Sequence, residues 1–151
     1  MKFLRLDDYL NFGEDPIKDI NFENKIQEYD TYFSNEIEKK LPEDFLKEYY
    51  LCHGFHDWKL ISVKMDCFND DNSLTINLFD SFENIKKSIV YHFVKLFESN
   101  FNSEYFESPM NKDFGIDEFG IINDNCLSHE VYFPSGASYI VHFSDIEILS
   151  L

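Results

Sequence analysis

The densest group of side chains able to do chemistry is the run His53-Gly54-Phe55-His56-Asp57. Two imidazoles three apart beside a carboxylate are of the type that holds zinc or another divalent metal, with His129 or His142 as a further nitrogen ligand. A metal held by His53, His56 and Asp57 would point to a metal-dependent hydrolase. The spacing is not that of helical metalloproteases, where two His stand four apart with Glu between them, and Gly54 interrupts any continuous helical face. The competing reading has His56 and Asp57 satisfying backbone groups, or each other, where the chain enters its first strand.

Other short patterns carry less. Cys52 adjoins His53, but neighbours in one helical turn do not face each other, so a thiol–imidazole pair is not formed by adjacency. Ser135-Gly136 lacks the Gly-x-Ser-x-Gly frame of a nucleophile elbow. Asn69-Asp70-Asp71-Asn72-Ser73 resembles the start of a calcium loop, yet it has no glycine at the sixth position and has Asp80 where a bidentate Glu belongs. A solvated hairpin turn explains it. Asp113-Phe114-Gly115 stands without the other kinase motifs. His92 and His142, set in apolar runs, read as hydrogen-bonded sheet residues.

Charge is the strongest global signal. The 151 residues carry 29 Asp and Glu against 13 Lys and Arg, a formal charge of −16. Such a chain repels a phosphate backbone and an anionic membrane surface. From Asp113 to Leu151 there is no Lys or Arg, while Asp113, Asp117, Glu118, Asp124, Glu130, Asp145 and Glu147 are all acidic. A field of that sign steers a cationic protein. The partner-binding residues expected are Asp113, Asp117, Glu118 and Asp124, in a variable connection. A single arginine, Arg5, leaves little capacity for bidentate anion binding. Aromatic content of 18% rules out an acidic disordered tail. No export signal or membrane-spanning run is visible, and three scattered cysteines, Cys52, Cys67 and Cys126, encode no disulfide framework. The expected compartment is the cytoplasm, and no cofactor is expected.

These residues must be positioned by a mixed set of elements. Residues 1 to 20 suggest an irregular or short-strand lead-in ending at Asp15-Pro16. Phe22, Ile26, Tyr29, Phe33 and Ile37 recur at helical spacing between Asn21 and Lys40. Pro42, Glu43 and Asp44 form the first turn of a second helix that carries Phe45, Leu46, Tyr49 and Tyr50 inward and stops near Gly54. Strict alternation over Lys59 to Phe68, a turn at Asn69 to Asn72, and renewed alternation of Leu74, Ile76 and Leu78 give a hairpin. Residues 85 to 97 suit a helix by spacing and a central strand by their β-branched and aromatic content; the strand is preferred. A long polar connection with short strand pieces fills 98 to 125. Leu127 to Phe133 and Tyr139 to Leu149 flank a turn at Pro134-Ser135-Gly136-Ala137.

The prediction is a single α+β domain over residues 1–151, with helices in about 21–53 packed on an antiparallel sheet of about five strands in about 55–151. Phe55-His56-Asp57 opening into Lys59 to Phe68, the strand Ser73 to Phe79 and the closing Ile140-Val141-His142-Phe143-Ser144-Asp145-Ile146-Glu147-Ile148 resemble small bacterial immunity proteins of polymorphic-toxin systems. The likeness covers roughly the C-terminal two-thirds. It implies a non-enzymatic protein that binds and blocks a basic toxin, such as a nuclease. A metal-dependent hydrolase is the rival expectation, and a structural or housekeeping domain a third.

Overall fold

The computed structural model describes residues 1–68, 71–108 and 112–151, with the side chain of Phe68 left aside. The turn read at Asn69 and Asp70 therefore lies outside the described residues, as do Pro109 and Met110. The chain begins with a short helix α1 (Leu6–Leu10) and continues into α2 (Pro16–Tyr32). Pro16 occupies the first turn of α2, where its missing N–H costs nothing, and Asp15 caps the helix by accepting from Ile17 N. The lead-in read as irregular or strand-like is thus partly helical.

After α2 the chain runs through a π turn (Phe33–Ile37) and a 3-10 turn (Glu38–Lys40) to α3 (Glu43–Leu51). Phe22, Tyr29, Phe33, Ile37 and Phe45 are buried from these segments. Tyr50, expected to point inward, is exposed.

After a 3-10 turn (His53–Phe55), the described residues form β1 (Lys59–Phe68), β2 (Asp71–Asp80), β3 (Ile85–His92), β4 (Leu96–Asn100), the short helix α4 (Ser103–Glu107), β5 (Ile116–Asn123), β6 (Cys126–Tyr132), β7 (Ser138–Phe143) and β8 (Asp145–Ser150). The strands form two four-stranded antiparallel sheets, ordered β1-β2-β3-β8 and β4-β7-β6-β5. This corrects the expectation of one sheet of about five strands.

The physical reason lies at a corner. The run from Ile85 to Asn100 is strand throughout except at Phe93, Val94 and Lys95, and the run from Ser138 to Ser150 breaks only at Ser144. His92 pairs with Asp145 in one sheet and Leu96 with His142 in the other, so Phe93, Val94 and Lys95 stand opposite only Phe143 and Ser144. The unequal lengths bend both strands from one sheet into the other, as at the corners of orthogonally packed sheets. Lys95 N donating to His142 O at 2.8 Å and Ser144 N donating to His92 O at 3.2 Å carry the backbone through the bend. Alternation and composition mark strands, but nothing in them marks a one-residue mismatch.

Both inner faces and the helices feed one hydrophobic cluster. In the first sheet Leu74, Ile76, Leu78, Ile89, Tyr91 and Ile146 point into it, whereas Ser62, Asn77 and Ser88 are hydrogen-bonded side by side on the outer face. In the second, Phe119, Leu127, His129, Val131, Tyr139, Val141 and Phe143 form the inner face. The outer edge of β5 is covered rather than open: Tyr29 of α2 accepts from Phe119 N at 2.6 Å.

At the corner Phe93 adopts φ 52°, a left-handed conformation that costs a side-chain-bearing residue about 1 kcal/mol or more. Phe93→Gly is expected to be neutral or stabilising, and Phe93→Val to lower stability by about 1–2 kcal/mol, because a β-branched residue fits that region worst. Urea denaturation of the two variants checks this.

Candidate functional site

The alternation that builds β5 places Asp117 on the same face as Phe119 and Ile121, toward the core. Its Oδ2 accepts from Tyr49 Oη at 2.8 Å and from His129 Nε2 at 2.9 Å. His129 is wholly buried, and its ring lies flat on Phe119 with centroids 4.0 Å apart. The other ring nitrogen, Nδ1, is 2.6 Å from Tyr91 Oη, which is 3.3 Å from Tyr139 Oη. With a carboxylate on Nε2, the neutral ring carries its proton there and leaves Nδ1 to accept from Tyr91. Tyr139 then donates to Tyr91, and each donor in the chain has one acceptor.

Five groups from α3, β3, β5, β6 and β7 are joined in this way. Tyr49, Tyr91 and Tyr139 are all held protonated well above the ordinary phenol range, first by burial. Among the described residues no buried side-chain nitrogen or oxygen is left unpaired.

Glu118 faces the opposite side of β5 and is nevertheless buried, at 5% exposure. Its carboxylate accepts from the backbone N–H groups of Lys2 at 2.6 Å, Phe3 at 2.9 Å and Leu4 at 3.0 Å. Directly across the ladder stands Glu130, like charge opposite like charge, an arrangement that is unfavourable unless compensated. Compensation comes from the Met1 amine, which contacts Glu130, and from the three amides on Glu118.

The four acids expected to bind a partner are therefore separated. Asp113 is paired with Lys59 at 2.8 Å. Asp117 and Glu118 are spent on opposite faces of β5. Asp124 alone is exposed, in the turn between β5 and β6. The signal that could have sorted them is the period of two: Asp117 alternates with Phe119 and Ile121, and His129 with Leu127 and Val131.

The His53 cluster is divided as well. The link from α3 to β1 turns through left-handed conformations at His53, Gly54, Phe55 and Asp57, with φ of 51°, 66°, 63° and 68°. Phe55 is buried edge-on against Trp58, with ring centroids 5.1 Å apart. This contorted turn sends His53 to a recess with Glu48, Cys52, Trp58, Asp80, Glu83 and Lys87, and His56 to a groove beside α1 and α2. His56 Nδ1 lies 3.1 Å from a carboxylate oxygen of Asp57, with both side chains more than half exposed. His129 is held in the core, and His142 lies on the outer face of its sheet. No group of three or more His, Cys, Asp or Glu side chains disposed to hold a metal occurs among the described residues. In the recess, burial pushes the Cys52 thiol above its ordinary value, opposite to what an attacking thiolate needs.

Two features missed in the sequence are surface depressions along α2. One is an apolar groove lined by Tyr9, Leu10, Phe12, Phe22, Ile26, His56, Ile116 and Pro134. The other is an aromatic cleft between α2, the π turn and α3. No protein-family model, curated protein or solved structure matches the chain. No helix among the described residues is long and apolar enough to cross a membrane.

Tyr91→Phe is expected to cost about 1–3 kcal/mol in urea denaturation, because His129 Nδ1 loses its donor and Tyr139 its acceptor inside the core. Stability should also fall at alkaline pH. Burial raises these phenols above the roughly pH 10 at which they ionise in the unfolded chain, so their contribution is complete below about pH 10 and is lost as pH rises further. Phenolate absorbance and loss of secondary structure should therefore rise together in one alkaline transition.

Proposed function

We propose that the chain is a non-enzymatic cytosolic binding protein that occludes a basic protein partner, in the manner that the likeness to immunity proteins implies for a toxin such as a nuclease. The observation that carries this reading is the groove along α1 and α2, about 560 Å³ in volume. Leu10 and Phe12 stand on it at 45% and 52% exposure, and Ile17 and Ile20 of α2 are more exposed still. An apolar and aromatic centre within a charged surround is the usual anatomy of a protein interface.

The surround here is acidic. Asp7, Asp8, Glu14, Asp15, Asp19, Glu23, Glu28 and Asp30 share this part of the chain with only Arg5, Lys18 and Lys25, and Lys25 is taken up by Asp8 at 2.5 Å. A partner bearing apolar side chains among lysines and arginines complements it. Carboxylates draw such a partner in, and Phe12 with Leu10 anchors it, covering the surface that would otherwise meet phosphate. This moves the expected contact from the connection before β6 to the helical side. The rival hydrolase has no assembled ligand set among the described residues on which to rest.

The test is whether the gene beside this one encodes a protein with a basic C-terminal module, and whether that protein binds this chain; a neighbour with no such module, or one that does not bind, would count against the proposal. The on-rate is expected to fall about tenfold or more between low and physiological ionic strength, and Phe12→Ala to weaken binding by about tenfold, mostly through faster dissociation. Binding that ignores both salt and Phe12→Ala would refute the proposal.

A further inference from the structure

One turn beyond Ile26 along α2, the aromatic cleft is lined by Tyr29, Asp30, Phe33, Ser34, Tyr49 and Tyr50 and encloses about 320 Å³. Its walls are rings in mutual contact. Phe33 stacks on Tyr49 with centroids 6.2 Å apart, and Tyr50 meets Tyr49 edge-on at 6.0 Å. Tyr29 leans on Phe33 at 5.9 Å.

Behind and beside the rings stand carboxylates. Tyr49 donates to Asp117 at 2.8 Å, and Tyr50 donates to Glu38. A phenol whose O–H donates to a carboxylate keeps its proton but holds more electron density in its ring face, the part that attracts a cation. Asp30 is exposed on the lining and forms no ion pair among the described residues. None of the lining residues is basic. The same negative field acts on the neighbouring phenols: Asp117, Glu118 and Asp30 add to burial in raising Tyr29, and Glu38 and Asp30 do so for Tyr50, which is pushed up to about 12.

We propose that this cleft is an arginine-binding site, in which a guanidinium inserted from a protein partner stacks on the exposed ring of Tyr50, beside the ring-packed Tyr49, while Asp30 and the Ser34 hydroxyl accept its N–H groups. Guanidinium suits the cleft better than ammonium because it is flat, stacks on aromatic faces and is more weakly hydrated, so entering costs it less. The inference rests on the reading of a basic protein partner for the source of the arginine and names the anchor that such a partner would use. It needs no residue of the apolar groove.

The test uses the whole protein and small probes, so it does not depend on having the partner. N-acetyl-arginine amide, the lysine counterpart and the uncharged citrulline counterpart are each titrated while the ring signals of Tyr49 and Tyr50 are followed by NMR. The arginine probe is expected to give saturable shifts, the lysine probe to bind more weakly, and the citrulline probe to leave the rings unmoved. Tyr50→Ala and Asp30→Asn, both at exposed positions, should each weaken arginine binding by about threefold or more with the circular dichroism spectrum unchanged. Absence of saturable shifts, equal binding of citrulline, or lysine binding as tight as arginine would overturn the site. Any of these results alongside intact salt-dependent partner association would remove the cleft alone. Arginine binding without partner association would remove the partner reading alone.

Discussion

The contact between Asp117 and His129 is the constraint around which the molecule is arranged. A carboxylate and an imidazole set among phenylalanines are tolerable only if every donor and acceptor finds its counterpart. The counterparts here come from both sheets and from α3: Tyr91 from one sheet, Tyr139 from the other, and Tyr49 from the helix. Apolar burial supplies most of the drive to fold and already opposes a one-residue slip, which would turn Phe119 outward, but it sets no hydrogen-bond geometry. The hydrogen-bonded chain adds to that penalty, since a slip of one residue on β5 would carry Asp117 to the other face and leave His129, Tyr49 and the carboxylate unpaired together.

The same constraint divides the acidic residues into two populations. Some carboxylates are internal fittings: Asp117 holds a tyrosine and a histidine, and Glu118 holds three amides of the N-terminal segment. Others keep their charge at the surface, and those near α1 and α2 border exposed apolar side chains. Net charge alone cannot separate the two, yet only the second population acts on a distant partner.

How much could be read in advance follows from which forces leave a local trace. Lys59 to Phe68 was legible as a strand because its residue types alternate, although Ile61, Met65 and Cys67 of the apolar set are exposed and the core takes Leu60 instead. The helical stripe from Phe22 to Ile37 was legible for the same reason at another period. The break at Phe93 was not, because it depends on a mismatch between two segments about fifty positions apart in the chain. The His53 to Asp57 run looked like a metal site because spacing was all that could be judged; the left-handed turns that point its histidines apart are invisible in residue types other than Gly54. Asp117 and Glu118 carry no mark of burial in their own residue type; only their adjacency in a strand sends them to opposite faces.

The direct measurement of the central constraint is the protonation pattern of the His129 ring, read by nitrogen-15 NMR of the imidazole. The account predicts a single proton, on Nε2, slow to exchange and hydrogen-bonded to Asp117, with Nδ1 bare and accepting from Tyr91. A proton resting on Nδ1, or an Nε2 proton exchanging as freely as that of an exposed histidine, would contradict it.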